Sequence, residues 1–125
     1  MQKALIIDDN RAMADSMKQM LSLLSIDAQV AYGSRAGIAA LKDLTPKIVF
    51  LDINMPGVSG FEVMAYLQRE PRLESVPVII VTSDDQDETV TKVAEAGAKG
   101  MVIKPVTVEA IESALQKAEI NKGDG

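Results

Sequence analysis

The chain of 125 residues contains no cysteine and no histidine. Without cysteine it cannot form a disulfide, use a thiolate in catalysis or bind zinc through sulfur, and its composition fits a reducing compartment. Without histidine it lacks the usual general base and the commonest transition-metal ligand, and it cannot carry a phosphohistidine of its own. The chemistry that remains is that of carboxylates, hydroxyls and hard cations.

Long apolar runs and an excess of positive charge are also absent. No stretch approaches the ~18 apolar residues needed to cross a membrane, and the first apolar run is only Ala4–Ile7, which does not resemble a signal peptide. The formal net charge of −5 argues against a nucleic-acid-binding protein. We therefore expect a cytoplasmic protein with one domain over residues 1–120, a flexible tail at 121–125 and no output domain.

Five apolar runs alternate with five amphipathic stretches along the chain. The runs predict strands at 4–7, 27–32, 48–51, 76–81 and 100–103. The intervening stretches carry apolar residues at helical spacing, although the stretch at 85–96 has a thin apolar face of Val90, Val93 and Ala94. This alternation predicts the α/β class, with a doubly wound, five-stranded parallel sheet and helices on both faces.

Four of the five predicted strands end in residues that can bind an anion or a hard cation. These residues are Asp8 and Asp9, Asp52, Thr82, and Lys104. In a parallel sheet these ends lie on one edge, where ligands of open α/β sheets bind, so we predict that they form one site. Taken alone, Asp52 could instead cap the following turn, and Lys104 could simply form a salt bridge with an aspartate.

The residue types at this edge indicate phosphoryl chemistry. Three clustered carboxylates repel one another and require a divalent cation, for which Mg²⁺ or Mn²⁺ suits oxygen ligands. A lysine and a threonine hydroxyl can hold phosphoryl oxygens, and an aspartate can accept a phosphoryl group covalently. Together these groups would stabilise the charge of a transferring phosphoryl group.

The same residues belong to motifs with a recognisable spacing. The motifs are Asp8-Asp9, the segment from Asp52 through Asn54, Met55-Pro56 and Gly60, the pair Thr82-Ser83, and the segment 97–100 leading to Lys104-Pro105. Along essentially its whole length the chain resembles a receiver domain of the bacterial response regulators of two-component signalling, of the single-domain type found in chemotaxis. The resemblance implies a flavodoxin-like sheet with strand order 2-1-3-4-5.

The resemblance also implies residue roles. Asp52 would accept a phosphoryl group from a histidine kinase or a phosphotransfer protein, and Thr82 and Lys104 would bind phosphoryl oxygens. Mg²⁺ would be held directly by Asp9, Asp52 and the backbone carbonyl of Asn54, and by Asp8 through water. The Lys104–Pro105 peptide bond would be cis, and residues Asn54 and Asp84 would flank the approach of the hydrolytic water. Such a protein is a switch rather than an enzyme with turnover.

One position departs from the family pattern and bears on the output surface. Three residues before Lys104 the family usually has an aromatic residue that moves on activation, and here the residue is Met101, which could equally be core filler. We predict that a still unidentified downstream protein binds the helix at 85–96, the last strand and the last helix, with Lys92, Met101 and Val106 as contacts. We expect no membrane or direct nucleic-acid partner, and a monomer or a weak phosphorylation-dependent dimer.

Three other functions are compatible with parts of this pattern. A receiver could serve as a docking module that is never phosphorylated, although the complete acidic set and Lys104 argue against this. A Mg²⁺-dependent phosphohydrolase with an aspartyl nucleophile would normally have a second carboxylate at position 54, where this chain has Asn54. A flavin-binding protein would need a phosphate-binding loop after the first strand, where this chain has two aspartates.

Overall fold

The computed structural model describes residues 3–55 and 57–118. Pro56 of the predicted turn and the predicted tail at 121–125 therefore lie outside the described residues. The elements in chain order are β1 (Lys3–Ile7), α1 (Arg11–Leu23), β2 (Asp27–Ala31), α2 (Ser34–Asp43), β3 (Ile48–Asp52), α3 (Gly60–Arg69), β4 (Val78–Thr82), α4 (Asp87–Glu95), β5 (Gly100–Ile103) and α5 (Val108–Lys117). Within these ranges no helix is long and apolar enough to span a membrane.

The five strands form one parallel sheet in the order β2-β1-β3-β4-β5. The predicted fold class, strand order and placement of helices are confirmed. All five residues of β3 and all five of β4 are buried, as expected for strands covered on both faces. Strand β3 lies at the centre of the sheet, so its carboxyl end is the middle of the edge on which the predicted site should lie.

Two apolar clusters cover the two faces of the sheet. One joins the sheet to α1 and α5 through residues such as Met17, Phe50 and Ile111, and the other contains Leu51 and Met64 with residues of α2 and α3. The fully buried Met17 and Met64 act as core filler. Replacing either with alanine should destabilise the fold by about 2–5 kcal/mol.

Strand β4 begins two residues later than the sequence pattern predicts. The backbone N–H of Val76 donates to the carbonyl of Leu73 at 3.0 Å, which places Val76 in the preceding turn. Pro77 has no backbone N–H to give to a neighbouring strand, and its carbonyl accepts from Val49 at 2.9 Å. Regular pairing therefore starts at Val78 and runs through Thr82.

The loop after β3 passes close to the start of α3. A Cβ atom at Gly60 would lie 2.6 Å from the backbone carbonyl oxygen of Asp52 and from the Cα of Ile53. No other residue fits this approach without moving backbone, so glycine holds α3 against the end of the central strand. The contact fixes the loop that follows Asp52.

Candidate functional site

The carboxyl edge of the sheet brings the predicted site residues together. Asp52 and Thr82 are the last residues of β3 and β4, while Asp8 and Lys104 directly follow β1 and β5. Asp8, Asp52 and Thr82 are 1%, 5% and 0% exposed, so two carboxylates and a hydroxyl are almost completely excluded from solvent. Buried polar groups of this kind need specific partners.

Three carboxylates converge at this edge. Asp8, Asp9 and Asp52 each offer an oxygen that lies within 4.8 Å of the others. Asp8 Oδ1 accepts from the backbone N–H of Asn10 at 2.9 Å, whereas the buried Asp8 Oδ2 accepts no hydrogen bond within the described residues. Asp9 is exposed. The cluster thus combines a buried oxygen that has an ion pair with Lys104 Nζ at 3.4 Å but no hydrogen bond with an open side at Asp9, which fits a hard cation that keeps water ligands.

Lys104 is the cation that balances part of this charge. Its Nζ lies 3.4 Å from Asp8 Oδ2 and 3.6 Å from Asp52 Oδ2, so the salt-bridge interpretation of Lys104 describes this structure. The backbone N–H of Lys104 donates to the carbonyl of Thr82 at 2.8 Å, which ties the β5 loop to the end of β4. The Lys104–Pro105 peptide bond is cis.

Asp52 combines a turn-capping contact with an unusual acidity. Its Oδ1 accepts from the backbone N–H of Asn54 at 3.0 Å, so it does cap the following turn, and its Oδ2 faces Lys104. Burial, and secondarily the nearby Asp8, raise the pKa of Asp52 to about 6, although the Asn54 N–H and Lys104 act in the opposite direction. A carboxylate held at this position is therefore destabilised in the absence of a further positive charge.

Thr82 is held by two donors. Its Oγ1 accepts from the side-chain Nδ2 of Asn54 at 3.1 Å and from the backbone N–H of Asp84 at 3.1 Å. The sequence pattern identified Thr82 but gave no sign of the Asn54 side-chain contact, because that contact depends on the path of the loop after β3.

Asp84 faces helix α4. Its carboxylate accepts from the backbone N–H of Gln86 at 3.0 Å and from the hydroxyl of Thr89 at 2.6 Å. These bonds, the Thr89 bond foremost, lower the pKa of Asp84. Asp84 is expected to orient the hydrolytic water, but both of its carboxylate oxygens already accept hydrogen bonds, one from the Gln86 N–H and one from the Thr89 hydroxyl. Thr89 was not predicted; the only signal in the sequence is an aspartate shortly before a helix start.

The predicted partner surface is only partly exposed. Lys92 is exposed, and Met101 is half-buried beside a groove of about 190 Å³ between α4 and β5, lined on α4 by Val90, Val93 and Ala94. In contrast, Val106 is only 7% exposed and packs in the same core cluster as Ile111. Its selection as a contact residue was wrong, because the chain after Pro105 turns inward before α5 begins. Helix α4 does bury little, since only Val93 is buried and Val90 is 45% exposed.

Two buried aspartates, the exposed Asp9, a lysine and a threonine hydroxyl thus lie together at the carboxyl edge of a sheet with strand order 2-1-3-4-5. A family model described as response regulator receiver domain matches residues 4–116. The chain therefore belongs to the response regulator receiver domain family. This is a family of signalling domains that interact with histidine kinases and downstream targets, rather than a family of conventional enzymes.

Individual relatives include both single-domain and longer proteins. Protein PilH of Pseudomonas aeruginosa is 31% identical over 111 residues, covering 89% of this chain and 92% of that protein. Chemotaxis protein CheY-3 of Vibrio cholerae is 29% identical over 116 residues, covering 92% and 89%. The DNA-binding regulator RpaA of Synechocystis is 33% identical over 109 residues, covering 87% of this chain but only 45% of its own length.

Solved structures support the same fold. The chemotaxis response regulator CheY4 of Vibrio cholerae superposes with a TM-score of 0.87 at 23% identity, covering 94% of this chain and 98% of that one. At this identity the likeness concerns the fold alone.

Proposed function

We propose that this protein is a phosphorylation-activated switch in which Asp52 accepts a phosphoryl group from the phosphohistidine of a histidine kinase or a phosphotransfer protein. The observation that carries the proposal is the placement of a buried Asp52 carboxylate between two further aspartates and the Lys104 ammonium. In the transfer, a carboxylate oxygen of Asp52 forms a bond to phosphorus as the bond between phosphorus and the donor's imidazole nitrogen breaks.

The acidic cluster would hold Mg²⁺, or Mn²⁺ in its place. Asp9 and Asp52 would bind it directly, with the backbone carbonyl of Asn54, and Asp8 would act through water. When bound, the cation supplies positive charge to phosphoryl oxygens and relieves repulsion among the carboxylates. Asp8 Oδ2, which is buried without a hydrogen bond, supports this assignment, as does the pKa of Asp52, which burial foremost and the nearby Asp8 raise, because a cation would favour the charged form of both carboxyl groups.

Lys104 and Thr82 would bind the oxygens of the transferred group. Lys104 already pairs with Asp52 and Asp8, so it needs only to exchange one anionic oxygen for another. Any shift of Thr82 reaches α4 by a short route, because Thr82 Oγ1 accepts from the Asp84 N–H while the Asp84 carboxylate accepts from the hydroxyl of Thr89 in the first turn of α4. This connection supports an output surface on α4, β5 and α5.

The half-buried Met101 would adjust to this shift. A methionine has several rotatable bonds and fills space gradually, whereas the aromatic residue usual at this position would move between two discrete orientations. We infer a softer switch, with a smaller free-energy difference between its inactive and active forms. Lys92 and Met101 remain the proposed contacts of a downstream protein. The proposal places the protein in the cytoplasm as a monomer or a weak phosphorylation-dependent dimer.

The experiment that separates this function from its rivals is labelling with a small phosphodonor. With acetyl phosphate and Mg²⁺, a receiver should incorporate up to one phosphoryl group per chain and lose it slowly. A phosphohydrolase would instead release phosphate over many turnovers, an outcome disfavoured by Asn54, which supplies no carboxylate two residues after Asp52. A docking module would incorporate nothing.

A further inference from the structure

Asn54 contacts both the proposed phosphoacceptor and Thr82. Its backbone N–H donates to Asp52 Oδ1 at 3.0 Å, and its side-chain Nδ2 donates to Thr82 Oγ1 at 3.1 Å. One residue thus links the ends of β3 and β4 through two hydrogen bonds. Asn54 itself is exposed, so its amide could be solvated by water and is not forced into this contact by burial.

The Thr82 hydroxyl has little freedom left. A hydroxyl oxygen has two acceptor lone pairs and one proton. Asn54 Nδ2 and the Asp84 N–H, both at 3.1 Å, occupy the two lone pairs. The remaining direction belongs to the proton, and no group in the described part of the chain accepts a hydrogen bond from it, although Thr82 is fully buried. The proton is therefore available to an incoming acceptor.

We propose that Asn54 is a positioning residue for phosphoryl transfer, whose side-chain amide fixes the Thr82 hydroxyl as a donor toward a phosphoryl oxygen on Asp52. A phosphoryl oxygen is purely an acceptor at neutral pH, so a hydroxyl that turned a lone pair toward it would be repelled. Because the Asn54 amide donates to a lone pair of Thr82 Oγ1, the hydroxyl cannot turn that lone pair toward the phosphoryl oxygen. The hydroxyl is therefore a preorganised donor before the reaction begins. The inference rests on the proposed function of Asp52.

The test is the variant Asn54→Ala. It retains the backbone N–H to Asp52 and the backbone carbonyl expected to bind the cation, and it removes only the amide. At saturating Mg²⁺ we expect acetyl phosphate to label this variant about 3–10-fold more slowly, the effect of losing roughly one hydrogen bond in the transition state. Gln116→Ala, which removes an exposed amide on α5, should label at the wild-type rate.

Two further measurements distinguish positioning from other roles. In a Thr82→Val background, which lacks the hydroxyl, adding Asn54→Ala should cause no further loss of rate. The three-bond coupling between the hydroxyl proton and the β proton of Thr82 should report one orientation about the Cβ–Oγ1 bond in the wild type and averaging in Asn54→Ala. A purely structural role of Asn54 would lower the urea midpoint without selective averaging at Thr82.

The contrary outcomes are equally specific. An equal loss in the Thr82→Val background would mean that Asn54 acts directly on water or the phosphoryl group, and would overturn the inference. Faster labelling would mean that the amide oxygen holds the hydroxyl proton away from Asp52, and an unchanged labelling rate or an unchanged hydroxyl orientation would leave Asn54 no positioning role. In all these cases the wild type still labels at Asp52. Failure of the wild type to label would instead count against the proposed function.

Discussion

Without a divalent cation, one buried carboxyl group should progressively destabilise the folded protein as the pH rises from about 4 to 7. The cause is Asp52, whose pKa burial raises from 3.8 to about 6. Between these values the folded state retains a proton that the unfolded chain has lost, so stability falls as the pH increases. A difference of about 2 pKa units corresponds to a loss of up to ~3 kcal/mol in the free energy of unfolding, complete above pH ~7.

The variant Asp52→Asn isolates this contribution, because an amide of the same size cannot ionise. In urea denaturation with a chelator present, the variant should exceed the wild type by about 2–3 kcal/mol at pH 8, and the two should converge near pH 4. Asp85→Asn, at an exposed position outside the cluster, should follow the wild type. Addition of Mg²⁺ should restore much of the wild type's lost stability. Parallel pH profiles for the wild type and Asp52→Asn would refute the idea that burial of the Asp52 charge destabilises the fold.

Three further predictions concern the cation, the lifetime and the output. Millimolar Mg²⁺ should raise the melting temperature, because a free Mg²⁺ concentration 100 times the dissociation constant adds about 2.7 kcal/mol to the free energy of unfolding. Calorimetry on Asp9→Asn should find this response strongly reduced, and an unchanged response would contradict the cation assignment. Loss of the phosphoryl group should take seconds to minutes, a barrier of ~19–22 kcal/mol, and a half-life of many hours in a label-decay assay would count against an accessible water path. A phosphoryl mimic should change the rates of amide hydrogen exchange mainly within residues 83–106. Changes around α1 instead would show that the output surface has been assigned to the wrong side of the protein.

Much of the fold could be predicted because local patterns and tertiary packing agree. The run Ile48–Leu51 has the composition of a strand covered on both faces, and β3 is fully buried. The start of β4 was predicted too early, because Val76 is β-branched and apolar but is hydrogen-bonded into a turn. Val106 was misplaced for a related reason: a single apolar residue after a loop carries no periodicity, so the sequence could not tell whether it faces the core or the solvent.

The main residues of the site could be predicted because parallel strands deliver their ends to one edge. That rule requires only strand order and strand ends, and it brings Asp8, Asp52, Thr82 and Lys104 within one site. It could not supply the contacts of Asn54 with Thr82 or of Asp84 with Thr89. Those contacts depend on loop paths and side-chain rotamers, which hydrophobic periodicity does not encode.

The central claim is that Asp52 alone carries the phosphoryl group, and the most direct measurement is site mapping after treatment with acetyl phosphate and Mg²⁺. The chain has no histidine to compete, so the wild type should carry a single acyl phosphate, stable in acid and labile in base, on the peptide that contains Asp52. Asp52→Asn should carry none, while Asp85→Asn should label as the wild type does. Labelling retained in Asp52→Asn, or mapped to another residue in the wild type, would contradict the account.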